Sequence, residues 1–398
     1  MHPSALARPR HSSPPRRFPA VAARLSTTPL LAAVVLAAMA LAACSPQVHT
    51  PTLNTGEVDA EAKIQRELVV RRSTELQERL YRVSWNIRLN NAELCGERVF
   101  NALGFTLLSL DDYKNKGQRK AVQNVLGAHA RATVYLIGPG SPADVAGLKR
   151  GDVIMSVDGE NTETKKRARE LLAVAVKAGR PAVVEVKRDG ELSAHTLTPV
   201  RICGYPVHLD RSAELNAFAD GDSITVYMGM LKFVKSDDEL AAILGHEMAH
   251  NTQKHRRSKT VNAAVGKLLI DLPTMLLLGV DTHLGERMGA QMFSPQFETE
   301  ADYVGLYYTA RAGYDIHNVA DVWRRMSVEY PQAITLVTTH PSNSQRFVGL
   351  AADAAEIDKK RAEGLPLVPE MKDAQAKAGA AAPKGAEAED DPLPQAEK

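Results

Sequence analysis

The pattern of apolar and polar positions divides the chain into three kinds of sequence. Over residues 58–94, apolar residues recur at three, four and eight positions among Arg, Glu and Gln, which predicts one long amphipathic helix. We expect its apolar stripe to pack on the helical domain that follows, rather than on a membrane or a partner helix. The stripe consists of Ile64, Leu68, Leu76, Leu80, Val83 and Ile87.

Short alternating runs separated by Asp-Gly turns dominate residues 96–201, which predicts a β-rich domain. A strand is expected over 152–157 and a helix over 163–177, ended by Gly179. Residues 182–188 and 191–198 alternate on either side of Asp189-Gly190, the dipeptide typical of a tight hairpin turn. The segment therefore combines strands with at least one helix.

Helical patterns return over residues 202–364, after a predicted edge strand at 224–228. Ser236 followed by Glu239 is a capping box, so a helix is expected to begin here. Further helices are expected after Ser294, over 315–330, and after Ser342, where Gln345 completes a second capping box. The apolar run 261–280 contains Lys267, Asp271 and Pro273 and predicts a buried helical hairpin, with a membrane-dipping segment as the alternative. Residues 365–398 lack apolar periodicity and are expected to be disordered.

The helix that begins at Ser236 carries residues suited to metal chemistry. His246 and His250 are four residues apart, so both lie on one face and can hold one metal ion. Glu247 lies beside them, where its carboxylate can take a proton from the attacking water. The alternative is a surface helix with chance histidines. We expect His255 to lie off the ligand face as a structural histidine.

A second helix supplies the missing acidic groups. Glu298 and Asp302 are four apart and share a face, so one can bind the metal while the other accepts a hydrogen bond from a ligand histidine. Glu300 is expected to point elsewhere and to be solvated.

These motifs together resemble a family of zinc endopeptidases that includes the CAAX prenyl proteases, the heat-shock protease HtpX and the periplasmic protease BepA. The resemblance spans about residues 200–364 and rests on five motifs in the family's order. They are Asn216-Ala217-Phe218, Glu239-Leu240-Ala241, His246-Glu247-x-x-His250, Glu298-x-x-x-Asp302 and Thr339-His340-Pro341.

The resemblance implies an α+β multidomain chain whose C-terminal domain is a mainly helical, gluzincin-type metallopeptidase with a small β-edge. It implies one Zn²⁺ per subunit, with Glu298 as the third ligand and Asp302 behind the ligands. It also places His340 and Arg346 in the active site. His340 is expected either to donate to the oxyanion or to occupy the open coordination position as a latch, or else to be an incidental residue of a helix-capping loop.

The β-rich segment resembles the PDZ domains of bacterial proteases. The resemblance rests on residues 140–143, 146–149 and 151–154. It implies that Gly104 and Phe105 form the loop where backbone N–H groups hold a peptide C-terminus while the peptide adds as a strand. The alternative is a small structural insert without a ligand.

Residues 1–43 contain five arginines, no acid and a short apolar run, which predicts a signal peptide. Leu41-Ala42-Ala43-Cys44 resembles a bacterial lipobox, which implies lipidation of Cys44, with 44–57 as a tether. The alternative is a soluble secreted protein cut elsewhere. The expected location is the cell envelope, at the periplasmic face of the outer membrane. Without the leader the net charge falls from +2 to about −3, which does not favour nucleic acid as a partner.

The two remaining cysteines, Cys95 and Cys203, lie just outside the ends of the β-rich segment. An even pair in an oxidising compartment predicts a disulfide that closes the base of this segment, with two free thiols as the alternative.

The expected function is therefore that of a membrane-anchored zinc metalloendopeptidase. Its expected substrates are misfolded or unassembled envelope proteins, with peptide C-termini bound at the PDZ-like groove. The alternative is a chaperone or scaffold that uses this groove, with peptidase activity minor or latched.

Overall fold

The computed structural model describes residues 51–255, 275, 295–329 and 344–371. Its contacts divide the chain into two units, Met1–Val58 and Asp59–Lys398, and all the described strands belong to the second. No helix among the described residues is both long and apolar enough to cross a bilayer. Several predictions lie outside the described residues: the leader 1–43, Cys44, the hairpin 261–280 apart from Met275, Ser342, His340 and the tail 372–398.

The long helix α1 spans Thr55–Asn90 and is only half covered. Leu76, Leu80, Val83 and Ile87 are buried in a core shared with the helical domain, as predicted. The prediction was wrong for the N-terminal part of the stripe, because Ile64 and Leu68 are 52% and 58% exposed. Helical spacing defines a face but not the length over which another element covers it.

The ends of the β-rich segment meet at a common base. Strand β1 (Val99–Ala102) pairs antiparallel with β8 (Val200–Cys203), with Val99 opposite Cys203. Cys95 and Cys203 form a disulfide with a Cα–Cα distance of 5.6 Å and a sequence separation of 108 residues. Closing a loop of this length stabilises a fold by about 4 to 5 kcal/mol in the chain-entropy model.

A six-stranded sheet forms the body of the β-rich segment. The strands are β2 Phe105–Leu108, β3 Thr133–Ile137, β4 Val153–Val157, β5 Glu160–Asn161, β6 Ala182–Arg188 and β7 Glu191–Leu197. Their order in the sheet is β2-β3-β4-β6-β7, with β5 paired to β4. The two Asp-Gly turns adopt positive φ at Asp158 (51°), Gly159 (82°), Asp189 (52°) and Gly190 (95°), as the predicted tight turns require.

Three helices accompany this sheet: α2 Lys116–Leu126, α3 Pro142–Val145 and α4 Lys165–Ala178. Thr164 caps α4 by accepting a hydrogen bond from the N–H of Arg167, and Gly179 ends it in the left-handed conformation. One face of α4 packs over the sheet, where Ala168, Leu172 and Ala175 join a core with the inward residues of β3, β4 and β6.

Trp85 connects α1 to the β-rich segment. Its ring is 2% exposed and lies against two glycines of that segment, Gly104 and Gly138. A Cβ at Gly138 would overlap the indole, and one at Gly104 would lie 2.9 Å from Cη2 of Trp85 and would overlap Ser141. The Gly104 carbonyl also accepts hydrogen bonds from the N–H of Gly138 and the hydroxyl of Ser141. Gly104 is therefore a packing residue of the loop.

A three-stranded sheet follows, built from β9 Val207–Asp210, β10 Ala217–Ala219 and β11 Ile224–Tyr227. Its order is β10-β11-β9. The prediction that residues 224–228 form an edge strand was wrong, because β11 pairs with β9 on one side and β10 on the other. Alternation reports which face of a strand is buried and not whether both of its edges are paired.

Helices complete the C-terminal domain, namely α5 Met228–Phe233, α6 Asp237–Thr252, α7 Pro295–Arg311, α8 Ala320–Glu329 and α9 Ser344–Ala362. Helix α8 begins five residues later than predicted. The Asp315 carboxylate accepts the N–H of His317, two residues on, so Asp315 forms a local turn instead of capping a helix.

The prediction of disorder from residue 365 onward was wrong for residues 365–371. They contain no helix or strand, but the Leu367 carbonyl accepts a hydrogen bond from Arg311 at 3.2 Å, and the N–H of Glu370 donates to the Tyr303 hydroxyl at 3.0 Å. Absence of apolar periodicity does not show whether an irregular segment is hydrogen-bonded to the domain beside it.

The packing of Gly104 leads to a stability prediction. Gly104 has φ +78° and a crowded Cβ position, whereas Gly140 has φ +65° and no atom within 4 Å of an added Cβ. Both Ala variants carry the cost of left-handed backbone, about 1 to 2 kcal/mol, and Gly104→Ala adds an overpacking cost of about 1 to 3 kcal/mol. The free energy of unfolding, measured in urea, should therefore be lower for Gly104→Ala than for Gly140→Ala. Equal unfolding free energies would contradict the packing role.

Candidate metal centre

Helix α6 begins where the capping residues predicted. The Ser236 hydroxyl accepts the N–H of Glu239 at 3.2 Å, while the Glu239 carboxylate accepts the N–H of Lys235 at 2.7 Å. Arg325 of α8 donates two hydrogen bonds to the same carboxylate, at 2.8 and 2.7 Å. Burial alone would raise the pKa of Glu239, but these hydrogen bonds, led by those from Arg325, hold it below its usual value. The start of the helix is thus tied to α8.

One turn of α6 brings the two motif histidines together. His246 and His250 are 3% and 1% exposed, and their Nε2 atoms lie 3.1 Å apart. Four residues of helix produce this geometry, since it places the two rings on one face. The pair is therefore buried with like nitrogens converging on one point.

The third donor comes from α7. The two carboxylate oxygens of Glu298 lie 3.5 Å from Nε2 of His246 and 3.4 Å from Nε2 of His250. Glu298 is fully buried. The two histidine nitrogens and a carboxylate oxygen all lie within 4.8 Å of one another.

A close contact between α6 and α7 makes this convergence possible. A Cβ at Gly245 would lie 2.5 Å from the carbonyl oxygen of Gly305, and one at Gly305 would lie 2.6 Å from the backbone N of His246. Only glycine at both positions allows the two backbones to approach so closely. Sequence reasoning missed this pair, although Gly within an apolar helical pattern was a usable signal.

The donor set fits Zn²⁺. Two imidazole nitrogens and one carboxylate form the set of three protein ligands typical of catalytic zinc sites, which keep a fourth position for water or substrate. Burial of all three removes competing solvent from the protein side of the site. His246, His250 and Glu298 would therefore hold the ion.

The remaining nitrogen of His246 faces Asp302, with Nδ1 2.9 Å from Oδ1. Burial by itself would lower the pKa of His246, but the Asp302 and Glu298 carboxylates outweigh it and raise the pKa to about 10. A histidine binds a metal ion through a deprotonated nitrogen, so metal binding at such a site is coupled to proton release.

Arg346 lies behind the two acids. It donates two hydrogen bonds to Asp302, both 2.6 Å, and its Nη1 is 3.2 Å from Oε2 of Glu298. Burial would raise the pKa of Asp302, but the charge and hydrogen bonds of Arg346 hold it below its usual value. Arg346 is 4% exposed, so its guanidinium is a buried cation that neutralises the buried acids. Its observed contacts are with a proposed ligand and the partner of another.

The other predicted site residues divide into three groups. Glu247 is 3% exposed, on the turn of α6 that carries the histidines. Gly104 and Phe105 lie in the β-rich segment, away from the three donors in the fold, and Phe105 contributes to a groove there. His340 lies outside the described residues.

The structure corrects the expectation for Glu300 and adds a role for His255. Nδ1 of His255 lies 2.9 Å from Nδ1 of His250, and Nε2 of His255 lies 3.2 Å from Oε2 of Glu300. Glu300 is therefore not a purely solvated acid, because its side chain is 38% exposed and contacts a buried histidine. A helical wheel could not show this, since α6 ends at Thr252 and Lys254 adopts a left-handed φ of 58°.

Residues 161–353 match peptidase family M48, and residues 133–188 match the PDZ domain. Both matches agree with the geometry just described, a His-His-Glu cluster following a β-rich segment. The resemblance to zinc metallopeptidases with a PDZ domain is confirmed, and so is the α+β multidomain fold class.

The similar proteins include mitochondrial metalloendopeptidases and bacterial proteases. The mitochondrial metalloendopeptidase OMA1 of Schizosaccharomyces pombe is 31% identical, over 39% of this chain and 49% of the relative. A putative beta-barrel assembly-enhancing protease of Vibrio cholerae is 31% identical, over 34% of this chain and 32% of the relative. The Escherichia coli beta-barrel assembly-enhancing protease is 30% identical, over 28% of this chain and 26% of the relative. The matched region thus spans half or less of each relative.

Removal of the buried guanidinium is expected to destabilise the metal-free protein. Arg346→Met leaves Asp302 and Glu298 buried without their cation, a loss of about 3 to 5 kcal/mol. Arg72→Met is the control, because Arg72 and its partner Glu75 are 65% and 62% exposed, and an exposed pair contributes less than about 1 kcal/mol. Urea unfolding in the presence of a chelator measures both. A loss below about 1 kcal/mol for Arg346→Met would exclude this role.

Proposed function

We propose that this protein is a zinc metalloendopeptidase of the bacterial cell envelope that cleaves misfolded or unassembled envelope proteins. The single observation that carries the proposal is the buried convergence of His246, His250 and Glu298, with Glu247 on the same helix turn. Clusters of this composition suit hydrolysis, because the fourth metal position is left for water or substrate.

In the proposed mechanism, His246, His250 and Glu298 would hold a Zn²⁺ ion, which would supply Lewis-acid polarisation of the scissile carbonyl and a lowered pKa, of about 7, for the attacking water. Glu247 accepts the proton of that water and delivers it to the leaving amine. Asp302 orients the ring of His246 through the Nδ1 contact of 2.9 Å. Arg346 keeps Asp302 ionised and holds Asp302 and Glu298 in place. His340 is proposed to donate to the oxyanion or to act as a latch.

The edge of the small sheet offers a place for an extended substrate. Strand β10 pairs with β11 on one side only among the described strands, and it packs beside α6. Two of its residues, Ala217 and Phe218, belong to one of the motifs shared with the family. A peptide adding to β10 would run along the helix that carries the metal ligands.

The β-rich segment supports a role in substrate selection. A groove of about 370 Å³ lies between β2 and α4, and β2 is an edge strand of the six-stranded sheet. Apolar side chains line it from both elements, so a peptide C-terminus can add to β2 and place its last side chain among them. The lining residues include Leu103, Phe105, Leu107, Leu172, Ala173 and Val176.

We propose that the chain is divided into a lipoprotein signal peptide over 1–43, a tether over 44–57, a segment over 58–94 that carries most of α1, a PDZ-like domain over 96–201, a peptidase domain over 202–364 and a tail that begins at residue 365. Lipidation of Cys44 would hold the protein at the periplasmic face of the outer membrane. The bacterial relatives named for beta-barrel assembly support an envelope role.

A second function is a chaperone or scaffold that binds envelope proteins through the groove between β2 and α4. The observation that favours it is the position of β2 at the edge of its sheet among the described strands, which is independent of the metal cluster. In that case binding of client proteins would survive metal removal.

The chemistry is tested by two substitutions with different expected effects. Glu247→Gln keeps the side-chain shape but removes the base, so zinc content should stay at one per chain while hydrolysis of an unfolded protein falls by about 10² to 10⁴. Glu298→Ala removes a ligand, so zinc content and hydrolysis should fall together. Elemental analysis and a casein-type assay measure both, with the exposed Glu75→Gln as the control. A parent protein without stoichiometric zinc, or a fully active Glu247→Gln, would refute the proposal.

The groove is tested at two neighbouring positions of α4. Ala173 lines the groove, whereas Val174 is 59% exposed and is not among the lining residues. Ala173→Tyr should fill the groove and weaken binding of C-terminal peptides at least tenfold, and Val174→Tyr should leave it unchanged. Fluorescence titration with a library of C-terminal peptides measures this in the whole protein. Saturable binding unaffected by Ala173→Tyr would place the peptide elsewhere.

A further inference from the structure

A chain of three side chains leads from the metal cluster toward the protein surface. His250 contributes Nε2 to the cluster, and its other nitrogen, Nδ1, lies 2.9 Å from Nδ1 of His255. The far nitrogen of His255, Nε2, lies 3.2 Å from a carboxylate oxygen of Glu300. His255 is 1% exposed, whereas the Glu300 side chain is 38% exposed.

Donor and acceptor rules determine which nitrogens of His250 and His255 carry protons. An ionised carboxylate only accepts, so Glu300 requires the proton of a neutral His255 to be on Nε2. Nδ1 of His255 is then an acceptor. It can accept only if His250 carries its proton on Nδ1, which leaves the Nε2 lone pair of His250 for the metal.

We propose that His255 and Glu300 are positioning residues that fix the metal-binding tautomer and ring orientation of His250. This inference rests on the proposed function, because it assumes that the cluster binds Zn²⁺. It parallels the contact of Asp302 with His246, except that the acid acts on His250 through an intervening imidazole. Groups that orient metal ligands in this way typically contribute about 10- to 100-fold in metal affinity.

The backbone at Lys254 and a ring contact with Phe297 hold His255 in its position. Lys254 has φ 58°, uncommon for a residue with a Cβ, and the residue that follows it is His255. The ring of His255 also stacks on Phe297, with centroids 4.7 Å apart and an angle of 27° between planes. Phe297 is the neighbour of the ligand Glu298, so the same helix turn that supplies the third ligand also supports His255.

The test uses substitutions at Glu300, whose partial exposure makes it tolerant of change. Glu300→Ala removes the acceptor and should weaken zinc binding by about 10-fold or more. Glu300→Gln retains an oxygen that can accept from His255 and should restore most of the affinity, which a purely structural role of the carboxylate charge would not produce. Zinc dissociation constants are measured by competition with a chromogenic chelator, using zinc alone and the full chain.

A second pair provides the control. His317 and Asp358 also form a histidine–carboxylate contact, 3.4 Å long, but both are exposed, at 56% and 42%. His317→Gln and Asp358→Ala should leave zinc affinity unchanged. His255→Phe keeps a ring to stack on Phe297 and removes the acceptor, so it should weaken zinc binding as Glu300→Ala does.

The outcomes separate this inference from the proposed function. If the parent binds zinc and Glu300→Ala and His255→Phe bind it equally tightly, the positioning role is refuted while the metal site stands. Equal weakening by Glu300→Ala and Glu300→Gln would also refute it, since the acceptor would then not matter. If the parent binds no zinc, the proposed function itself fails.

Discussion

The close approach of α6 and α7 is the constraint on which the site depends. The first helix carries His246, Glu247 and His250, and the second carries Glu298 and Asp302. Glycines at 245 and 305 let the two backbones meet without intervening side chains. A distance increase equal to one methyl group on either side would move Glu298 away from the histidines. The cluster therefore depends on residues that have no side chain to contribute.

Such close packing places several charges in a buried volume, where arginines lie against the acids. Arg346 faces Asp302 and Glu298, while Arg325 faces Glu239 at the start of α6. Buried ions are costly unless each finds a partner of opposite charge with good hydrogen-bond geometry. The arginines come from α8 and α9, so the C-terminal helices complete a site whose metal donors lie on α6 and α7.

Helix α1 links the two functional parts of the molecule. Arg79 donates to Asp237 and to the carbonyl of Ser236, at the N-terminus of the metal-binding helix. Six residues further on, Trp85 packs against Gly104 and Gly138 beside the groove of the β-rich segment. A single helix thus contacts both the loop that contains Gly104 and the start of α6. The disulfide between Cys95 and Cys203 joins the two ends of the β-rich segment covalently.

Features that depend on spacing along one element could be predicted from the residues alone. Four-residue separation placed His246 beside His250 and Glu298 beside Asp302, and Asp-Gly dipeptides marked the turns of the β-rich segment, because local backbone geometry fixes these relations. Which elements contact one another depends on the folded arrangement of the whole domain. Strand β11 is central because other strands pair with both of its edges. Ile64 and Leu68 are exposed because no other element among the described residues covers them. A left-handed residue beyond α6 places His255 between His250 and Glu300. Such contacts join residues distant in sequence, so no local periodicity reports them.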